Sequence, residues 1–348
     1  MQSRRRTTDL LRVDPPDDAA LVERLRIAGC VFAEDEAEVL LASARTPVEL
    51  EHMVQQRIAG TPLEHIVGWA EFAGLRIAVD PGVFVPRRRT ELLLAHAQRL
   101  AHAKRLVPSR PLVVELCCGS AALSAALGST FPDVELYATD IDPVAVRCAR
   151  GNLASLASPA CALQGDLYEP LPPSLAGRVD LLLANAPYVP TEEISLMPRE
   201  ARRYESRVAL DGGSDGLDLQ RRIAAHAQRW LALDGHLLVE TSRSQAAESA
   251  TILARNGLAT QVVTSDELEA TAVIGWLPRA GERLLITSEI PHPDDRWMRR
   301  SLSRSPGHRP CAAPARRWPE FISSNFASSP GENYSLRSGA IAIGTPQA

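Results

Sequence analysis

The chain has 348 residues, of which 45% are hydrophobic and 23% charged, with a formal net charge of −4. This composition excludes a mostly disordered chain, a collagen-like fibre and a coiled coil, and the length indicates two domains or one large domain with appendages. The charge balance and the 5% aromatic content argue against a protein built mainly to bind nucleic acid. No apolar run reaches the roughly 18–20 residues of a membrane-spanning helix.

The cysteine pattern points to a reducing compartment. Six cysteines are too few for a disulfide scaffold in a chain of this length. None forms a C-x-x-C pair or lies near a histidine at zinc-finger spacing, so we expect no metal site. No apolar segment follows the N-terminal arginines within the range of a signal peptide, and the expected location is therefore the cytoplasm.

The first part of the chain predicts helices and then a hairpin. Apolar residues recur at helical intervals from about residue 15 to 70, and Thr46-Pro47 has the pattern of a cap and first residue of a helix. We expect a helical domain over residues 1–70. Alternating apolar residues around Asp80-Pro81-Gly82 predict a β-hairpin linker over residues 71–89. Thr90 is expected to cap a helix that runs to about Lys104.

Strands alternate with helices from residue 111 to about 288, and we expect one domain over residues 90–288. This alternation predicts an α/β fold with a mostly parallel, Rossmann-like sheet of seven strands, whose ligand binds beyond the carboxyl ends of the strands. Residues 289–348 keep no period and are rich in proline and serine, so we expect a disordered tail, with a basic interaction tail as the alternative. The predicted strands are 112–116, 134–138, 160–164, 179–184, 236–240, 270–276 and 282–287, and the predicted helices are 121–129, 143–154, 218–231 and 244–256.

Acidic residues follow three successive predicted strands. Glu115 ends the first, and the small residues 117–121 then lead into a helix whose N-terminus can face a nucleotide. Asp140 ends the second, where an acid can accept hydrogen bonds from both ribose hydroxyls; either Asp140 or Asp142 can instead cap the next helix. Asp166 follows the third, where an acid can face an adenine amino group or simply occupy a turn.

The fourth strand leads into the most specific local pattern of the chain. Three stretches agree in order with one known family: Pro86-Arg87 with Thr90-Glu91, then Asn185-Ala186-Pro187-Tyr188, and then Asp211-Gly212-Gly213-Ser214-Asp215-Gly216-Leu217-Asp218. The chain resembles the HemK-type, class I adenosylmethionine-dependent methyltransferases of release-factor glutamine, whose motif at the second stretch is Asn-Pro-Pro-Tyr. The resemblance covers roughly residues 20–288. It implies S-adenosyl-L-methionine as the cofactor, bound by Glu115, Cys117, Gly119, Asp140, Asp166 and Asn185.

The resemblance also implies where the reaction takes place. The family places its target glutamine side chain against this turn, so the Asn185 side-chain oxygen and the Ala186 carbonyl would accept the two N–H groups of the target amide. Pro187 completes the turn, and Tyr188 would pack against the target. Most of the acceleration would come from alignment, because the sulfonium is already an activated methyl donor. No metal is required.

Three residues depart from the family pattern. Ala186 stands where the family has its first proline, and Cys117 and Ala121 stand where it has glycines. A Cβ at a position that needs positive φ costs roughly 1–2 kcal/mol, so we expect Cys117 and Ala121 to affect cofactor affinity more than the fold. At Ala186 the carbonyl is kept and the ring is lost, so we expect a retained but less rigid site. The changes resemble those of an actinobacterial-type subgroup. Membership of the family does not settle which substrate this subgroup methylates.

The leading hypothesis is a monomeric methyltransferase acting on a protein glutamine amide, with a release factor as the first substrate and a ribosomal protein as the second. We expect no membrane contact and no sequence-specific binding of nucleic acid. The runner-up is an adenine or cytosine amino-methyltransferase, since the same turn can align an exocyclic amino group once the base is extracted. A non-catalytic cofactor-binding homologue is a third hypothesis. An NAD-dependent dehydrogenase fits poorly, because the G-x-G-x-x-G fingerprint is absent. The arginines 87–89 can meet an acidic substrate or form a solvated charge run.

Overall fold

The computed structural model describes residues 18–104, 110–277 and 286–288. It begins with four helices, α1 (Asp18–Ile27), α2 (Ala33–Ser43), α3 (Pro47–Ile58) and α4 (Leu63–Val67). Thr46 caps α3 as predicted, accepting a hydrogen bond from the Glu49 N–H at 3.1 Å. Leu25, Leu40 and Val54 are fully buried in a core that these helices share. The predicted helical character of this part of the chain is therefore confirmed for the described residues, while the predicted tail over residues 289–348 lies outside them.

A hairpin follows, but its turn lies elsewhere than predicted. Strands β1 (Trp69–Phe72) and β2 (Leu75–Ala78) pair antiparallel with Phe72 opposite Leu75. The turn is formed by Ala73 and Gly74, whose φ angles are +51° and +75°, the left-handed pair that a two-residue hairpin turn requires. The prediction that the hairpin turns at residues 80–82 is wrong, because those residues form a turn of their own after β2, in which the Val83 N–H donates to the Asp80 carbonyl at 3.0 Å.

The rest of the described chain builds a mixed sheet with helices on both faces. The strands are β3 (Leu112–Leu116), β4 (Glu135–Asp140), β5 (Ala160–Gln164), β6 (Val179–Ala184), β7 (Leu231–Thr241), β8 (Ala259–Ser265), β9 (Ala270–Trp276) and the short β10 (Ile286–Ser288). The helices are α5 (Glu91–Lys104), α6 (Ala122–Thr130), α7 (Pro143–Leu153), α8 (Arg199–Tyr204), α9 (Asp218–Trp230) and α10 (Ala246–Arg255). Short 3₁₀ helices span Arg88–Thr90, Pro173–Leu175, Glu193–Leu196 and Arg207–Ala209.

The strand order is β10-β8-β9-β7-β6-β3-β4-β5. Only β9 runs antiparallel to its neighbours among these strands. One face packs against α5, α6 and α7, and the other against α9 and α10. The predicted α/β, Rossmann-like fold is confirmed. No helix of the described ranges is long and apolar enough to span a membrane.

The sheet has eight described strands where the sequence predicts seven. Strand β4 runs two residues beyond its predicted end, and β8 and β7 differ more. The prediction omitted β8, whose buried Thr260 and Gln261 interrupt the apolar pattern of an interior strand. Strand β7 begins at Leu231 rather than at residue 236. The pairing of β7 with β6 shifts register between Val179 and Leu181. Gly235 lies in this irregular part of β7 and lets the two strands approach closely, since a Cβ there would lie only 2.6 Å from the Val179 carbonyl oxygen.

The strand order fixes where a ligand can bind. The chain places β4 and β5 on one side of β3 and then returns to place β6 on the other side. This reversal leaves a crevice at the carboxyl ends of β3 and β6, which is the usual ligand site of such sheets.

Candidate functional site

A cavity of about 680 Å³ opens at this crevice. It extends from the segment after the hairpin to the loops that follow β3, β4, β5 and β6. No group of His, Cys, Asp and Glu side chains in the described ranges is arranged to hold a metal ion. All the residues predicted for the cofactor or for catalysis line this cavity: Glu115, Cys117, Gly119, Asp140, Asp166, Asn185, Ala186, Pro187 and Tyr188.

Glu115 ties the end of β3 to the start of α6. Its carboxylate accepts hydrogen bonds from the Ser124 N–H at 2.9 Å and from the Ser124 hydroxyl. Burial raises the pKa of Glu115 to about 7. These two bonds fix the path of the intervening loop, residues 117–121, across the base of the cavity.

Two residues of this loop, Cys117 and Ala121, stand where the family has glycines, and both adopt the left-handed backbone conformation that favours glycine. Cys117, Gly119 and Ala121 have φ angles of +53°, +54° and +57°. A side chain in this region costs roughly 1–2 kcal/mol, so Cys117 and Ala121 both carry strain that glycine would not. Desolvation also raises the pKa of the thiols of Cys117 and Cys118, and a thiol with a raised pKa is a poor nucleophile at neutral pH.

Asp140 and Asp142 have separate roles. Asp142 caps α7 by accepting a hydrogen bond from the Val144 N–H at 2.8 Å. Asp140 instead accepts one N–H on each oxygen, from Gly119 and from Asp142, both at 2.9 Å. Burial raises the pKa of Asp140. A carboxylate offers about four acceptor positions, so Asp140 retains capacity for hydroxyl groups of a ligand.

Asp166 has a partner that the sequence prediction did not include. Its Oδ2 atom lies 2.6 Å from a guanidinium nitrogen of Arg222 on α9. Both side chains are partly exposed, and such ion pairs contribute little to stability. Arg222 also lines the cavity. The acid is therefore at the rim of the site, with Oδ1 left for a second contact.

The turn at residues 185–188 is held by the segment that precedes α5. The side-chain amide nitrogen of Asn185 donates to the Thr90 hydroxyl at 3.1 Å. Thr90 is only 5% exposed, so this contact lies in the interior. Thr90 directly precedes α5, as the sequence predicts, and is the last residue of the Arg88–Thr90 3₁₀ helix. With the nitrogen of Asn185 engaged, its Oδ1 atom is left as the acceptor.

The glycine-rich stretch 211–218 supports the turn from behind. The Gly212 N–H donates to the Val189 carbonyl at 2.9 Å. The side-chain amide of Gln245 donates to the Tyr188 carbonyl at 3.0 Å and to the Asp215 carbonyl at 2.9 Å. A Cβ on Gly216 would lie 2.2 Å from the Tyr188 carbonyl oxygen. The stretch therefore requires glycine in order to approach the turn this closely.

The interior behind Tyr188 is charged. The Tyr188 hydroxyl donates to Oε1 of Glu240 at 3.2 Å, and Nε of Arg89 lies 3.2 Å from the same oxygen. Burial raises the pKa of Tyr188. Arg87 is also buried and pairs with Glu205. A solvated run of arginines is therefore wrong for these two positions.

Sequence reasoning missed Glu240 as a residue of this neighbourhood. Its only sequence signal is an acid near the carboxyl end of an otherwise apolar strand, Leu237-Leu238-Val239-Glu240. That signal is the same one that marked Glu115 and Asp140, but no recognised motif follows it.

Comparison with known proteins agrees with this geometry. Residues 74–201 match the family model described as the methyltransferase small domain. The chain is 38% identical over 241 residues to the release factor glutamine methyltransferase of Mycolicibacterium smegmatis, covering 68% of this chain and 80% of that protein. It is 35% identical over 280 residues to the enzyme of the same name from Mycobacterium leprae, covering 74% and 94%.

The chain is also similar to a third relative and to a solved structure. The chain is 33% identical over 223 residues to the release factor glutamine methyltransferase of Geobacter sulfurreducens, covering 64% of this chain and 75% of that protein. Among solved structures, the catalytic domain of hMettl16 in complex with an RNA hairpin aligns with a TM-score of 0.47 and 14% identity, covering 68% and 84%. A structural likeness of this size carries no functional argument, whereas the sequence matches extend over most of the relatives' length. This chain belongs to the release factor glutamine methyltransferase family.

Proposed function

We propose that this chain transfers a methyl group from S-adenosyl-L-methionine to the side-chain amide nitrogen (N5) of a glutamine in a protein, and that this protein is a peptide chain release factor. The observation that carries the proposal is the orientation of Asn185. Its side-chain nitrogen is engaged by the buried Thr90 hydroxyl, so its oxygen is the atom left to accept a hydrogen bond. The family relatives named above support glutamine as the target.

The residues of the cavity fit adenosylmethionine. The left-handed loop 117–121 leads into α6, whose first residues Ala122 and Leu123 line the cavity, and a helix N-terminus suits the polar groups of a ligand. Asp140 keeps acceptor capacity for two ribose hydroxyls. Asp166 stands at the rim with one free oxygen for an amino group. The bound cofactor supplies an electrophilic methyl group on a sulfonium.

The chain's own contribution is to hold and polarise the amide. An amide nitrogen is a poor nucleophile because its lone pair is delocalised. In the proposed complex its two N–H groups donate to Oδ1 of Asn185 and to the Ala186 carbonyl, which stabilises the positive charge that develops on nitrogen. Ala186 and Pro187 are buried, which restrains the Ala186 carbonyl, and Asn185 is held by its hydrogen bond to Thr90. We expect most of the acceleration to come from this alignment, because the sulfonium is already an activated methyl donor.

We further propose that α1–α4 form a domain of their own, joined to the methyltransferase domain through the hairpin. These helices bury Leu25, Leu40 and Val54 among themselves. Arg57 of α3 pairs with Glu36 of α2 and lies 3.0 Å from Glu200 of α8. The helices therefore contact the segment that follows the turn 185–188, which is where a protein substrate would approach.

The experiment that tests this proposal uses the purified chain, methyl-labelled adenosylmethionine and a cell lysate. We expect label in material that protease degrades and nuclease does not, and we expect it to map to a glutamine side chain. Label in nuclease-sensitive material would contradict the proposal and favour an exocyclic amino group as the target. Cofactor binding, measured separately by calorimetry, distinguishes an inactive homologue: tight binding without any label would also contradict the proposal.

A further inference from the structure

Glu240 is buried at the carboxyl end of β7, where a charged carboxylate needs a counter-charge or hydrogen bonds to offset its loss of hydration. Its side chain is 2% exposed, and that of Arg89 is 12% exposed. The ion pair with Arg89 and the hydrogen bond from Tyr188 use the same oxygen, since Oε1 lies 3.2 Å from Nε of Arg89 and 3.2 Å from the Tyr188 hydroxyl. Oε2 is buried without a hydrogen-bond partner among the described residues. A carboxylate in this setting is costly unless it is paired.

The contacts of this group join three separate parts of the fold. Arg89 belongs to the same 3₁₀ helix as Thr90, which holds Asn185 at the start of the turn. The guanidinium carbon of Arg89 also lies 5.9 Å from the centre of the Tyr188 ring, at the end of the turn. Glu240 binds both Arg89 and Tyr188, so the turn 185–188 is held between the 3₁₀ helix and β7.

The strand that carries Glu240 is itself fixed. The side-chain amide of Gln220 on α9 donates to the Glu240 backbone carbonyl at 3.3 Å. Glu240 also pairs within the sheet, opposite Ala272 of β9. The carboxylate is therefore presented from a rigid element, while the turn it contacts is a loop.

Stability alone does not account for this arrangement. A buried ion pair often contributes no more than a well-packed apolar pair of the same volume, because desolvation offsets the attraction. What an apolar pair cannot supply is a directed acceptor for the Tyr188 hydroxyl. That hydrogen bond anchors the hydroxyl end of the Tyr188 ring, and the ring is the part of the turn that packs against the target amide in the proposed function.

We infer that Glu240 is a positioning residue for the methylation, which holds Tyr188 through its hydroxyl while Arg89 balances its charge. The inference rests on the proposed function, because the ring is positioned for a glutamine amide. Glu240 acts through Tyr188 and does not touch the reacting atoms.

Two double variants separate positioning from stability. Arg89→Met with Glu240→Gln removes both charges but keeps an acceptor for Tyr188, whereas Arg89→Met with Glu240→Leu removes the charges and the acceptor. We expect kcat of the glutamine variant within about tenfold of wild type and kcat of the leucine variant about 100-fold below wild type. Cofactor Kd should agree within about threefold between the two variants, since both leave the loop 117–121 unchanged. Equal kcat values would overturn the inference.

The same pair in a Tyr188→Phe background provides the control. Without the hydroxyl, glutamine and leucine at position 240 should give the same kcat, and a difference that persists there would also overturn the inference. Crystal structures of the two double variants give a readout without turnover. Tyr188 should keep its place in the glutamine variant and rotate in the leucine variant, and an unchanged ring in both contradicts the inference whatever the substrate. Wild-type protein that fails to methylate a glutamine contradicts the proposed function instead.

Discussion

Gly216 offers a sharp test of how the turn 185–188 is held in place. It has φ +77°, and a Cβ at this position would lie 2.2 Å from the Tyr188 carbonyl oxygen and 2.4 Å from the side-chain nitrogen of Gln245. Gly177, in the loop before β6, has nearly the same φ of +73° and no heavy atom within 4 Å of its added Cβ. Alanine at either position costs the same roughly 1–2 kcal/mol of backbone strain. Only Gly216→Ala also pushes on the turn.

The additional cost can be estimated from the contact. The oxygen belongs to backbone, so the loop must move by about an ångström before the Cβ fits, and overpacking of this kind costs about 1–3 kcal/mol. The total destabilisation of Gly216→Ala should be about 2–5 kcal/mol. The displacement moves Tyr188, and a shift of about 1 Å in a positioned group lowers kcat about 100-fold.

Two assays check this prediction. Urea unfolding gives the free energy of unfolding of each variant, and methyl transfer at saturating adenosylmethionine gives kcat at a temperature where both are folded. Gly177→Ala should lose stability but keep kcat within about twofold of wild type, since nothing contacts the added methyl group. If Gly216→Ala retained wild-type kcat while folded, the support of the turn by the stretch 211–218 would be refuted.

Three further outcomes follow from the same geometry. Asp140→Ala should weaken adenosylmethionine binding about 100-fold by calorimetry, because each hydrogen bond to a charged acceptor contributes about 1.5–3 kcal/mol; unchanged affinity would refute its role. Ala121→Gly should change the free energy of unfolding by less than about 1 kcal/mol, since relief of left-handed strain offsets the lost methyl group. Ala125→Gly inside α6 relieves no such strain and should cost about 2 kcal/mol. Equal losses in the two variants would contradict the strain argument. Burial raises the pKa of Glu64 from 4.5 to about 7, so the folded state favours the protonated acid. The free energy of unfolding therefore falls as pH rises from 4.5 through 7. Glu64→Gln should therefore match wild type near pH 4.5 and exceed it by up to about 3 kcal/mol at pH 8 in urea unfolding, and a constant difference between the two pH values would contradict the assignment.

The sequence predicts the sheet well where local pattern and burial agree. Strands β3, β5, β6 and β9 have the predicted bounds because their apolar runs are bounded by turn residues. Strand β8 escapes prediction because its buried polar residues Thr260 and Gln261 interrupt the apolar run, although threonine and valine themselves favour strands. The hairpin turn was misplaced because Pro81-Gly82 is the stronger turn signal, although Ala73 adopts the left-handed conformation that the turn requires.

The site shows a similar division. Residues at strand ends, such as Glu115, Asp140 and Asn185, could be predicted to share one cavity because parallel strands end at one edge of the sheet. Contacts that depend on chain segments far apart could not be predicted. Glu240 meets Arg89 across the fold, and nothing near either residue in the sequence marks the pair.

The central claim is that the turn 185–188 presents a protein glutamine amide to bound adenosylmethionine. The most direct test incubates a purified release factor with the chain and adenosylmethionine, and then maps modified peptides by mass spectrometry. We expect one added methyl group on the side-chain nitrogen of a single glutamine. We also expect Asn185→Ala to abolish the modification while adenosylmethionine affinity stays within a few fold of wild type, because the amide loses an acceptor and the loop 117–121 is untouched. A methyl group on any other residue type, or full transfer by the Asn185→Ala variant, would contradict the proposed role of the turn.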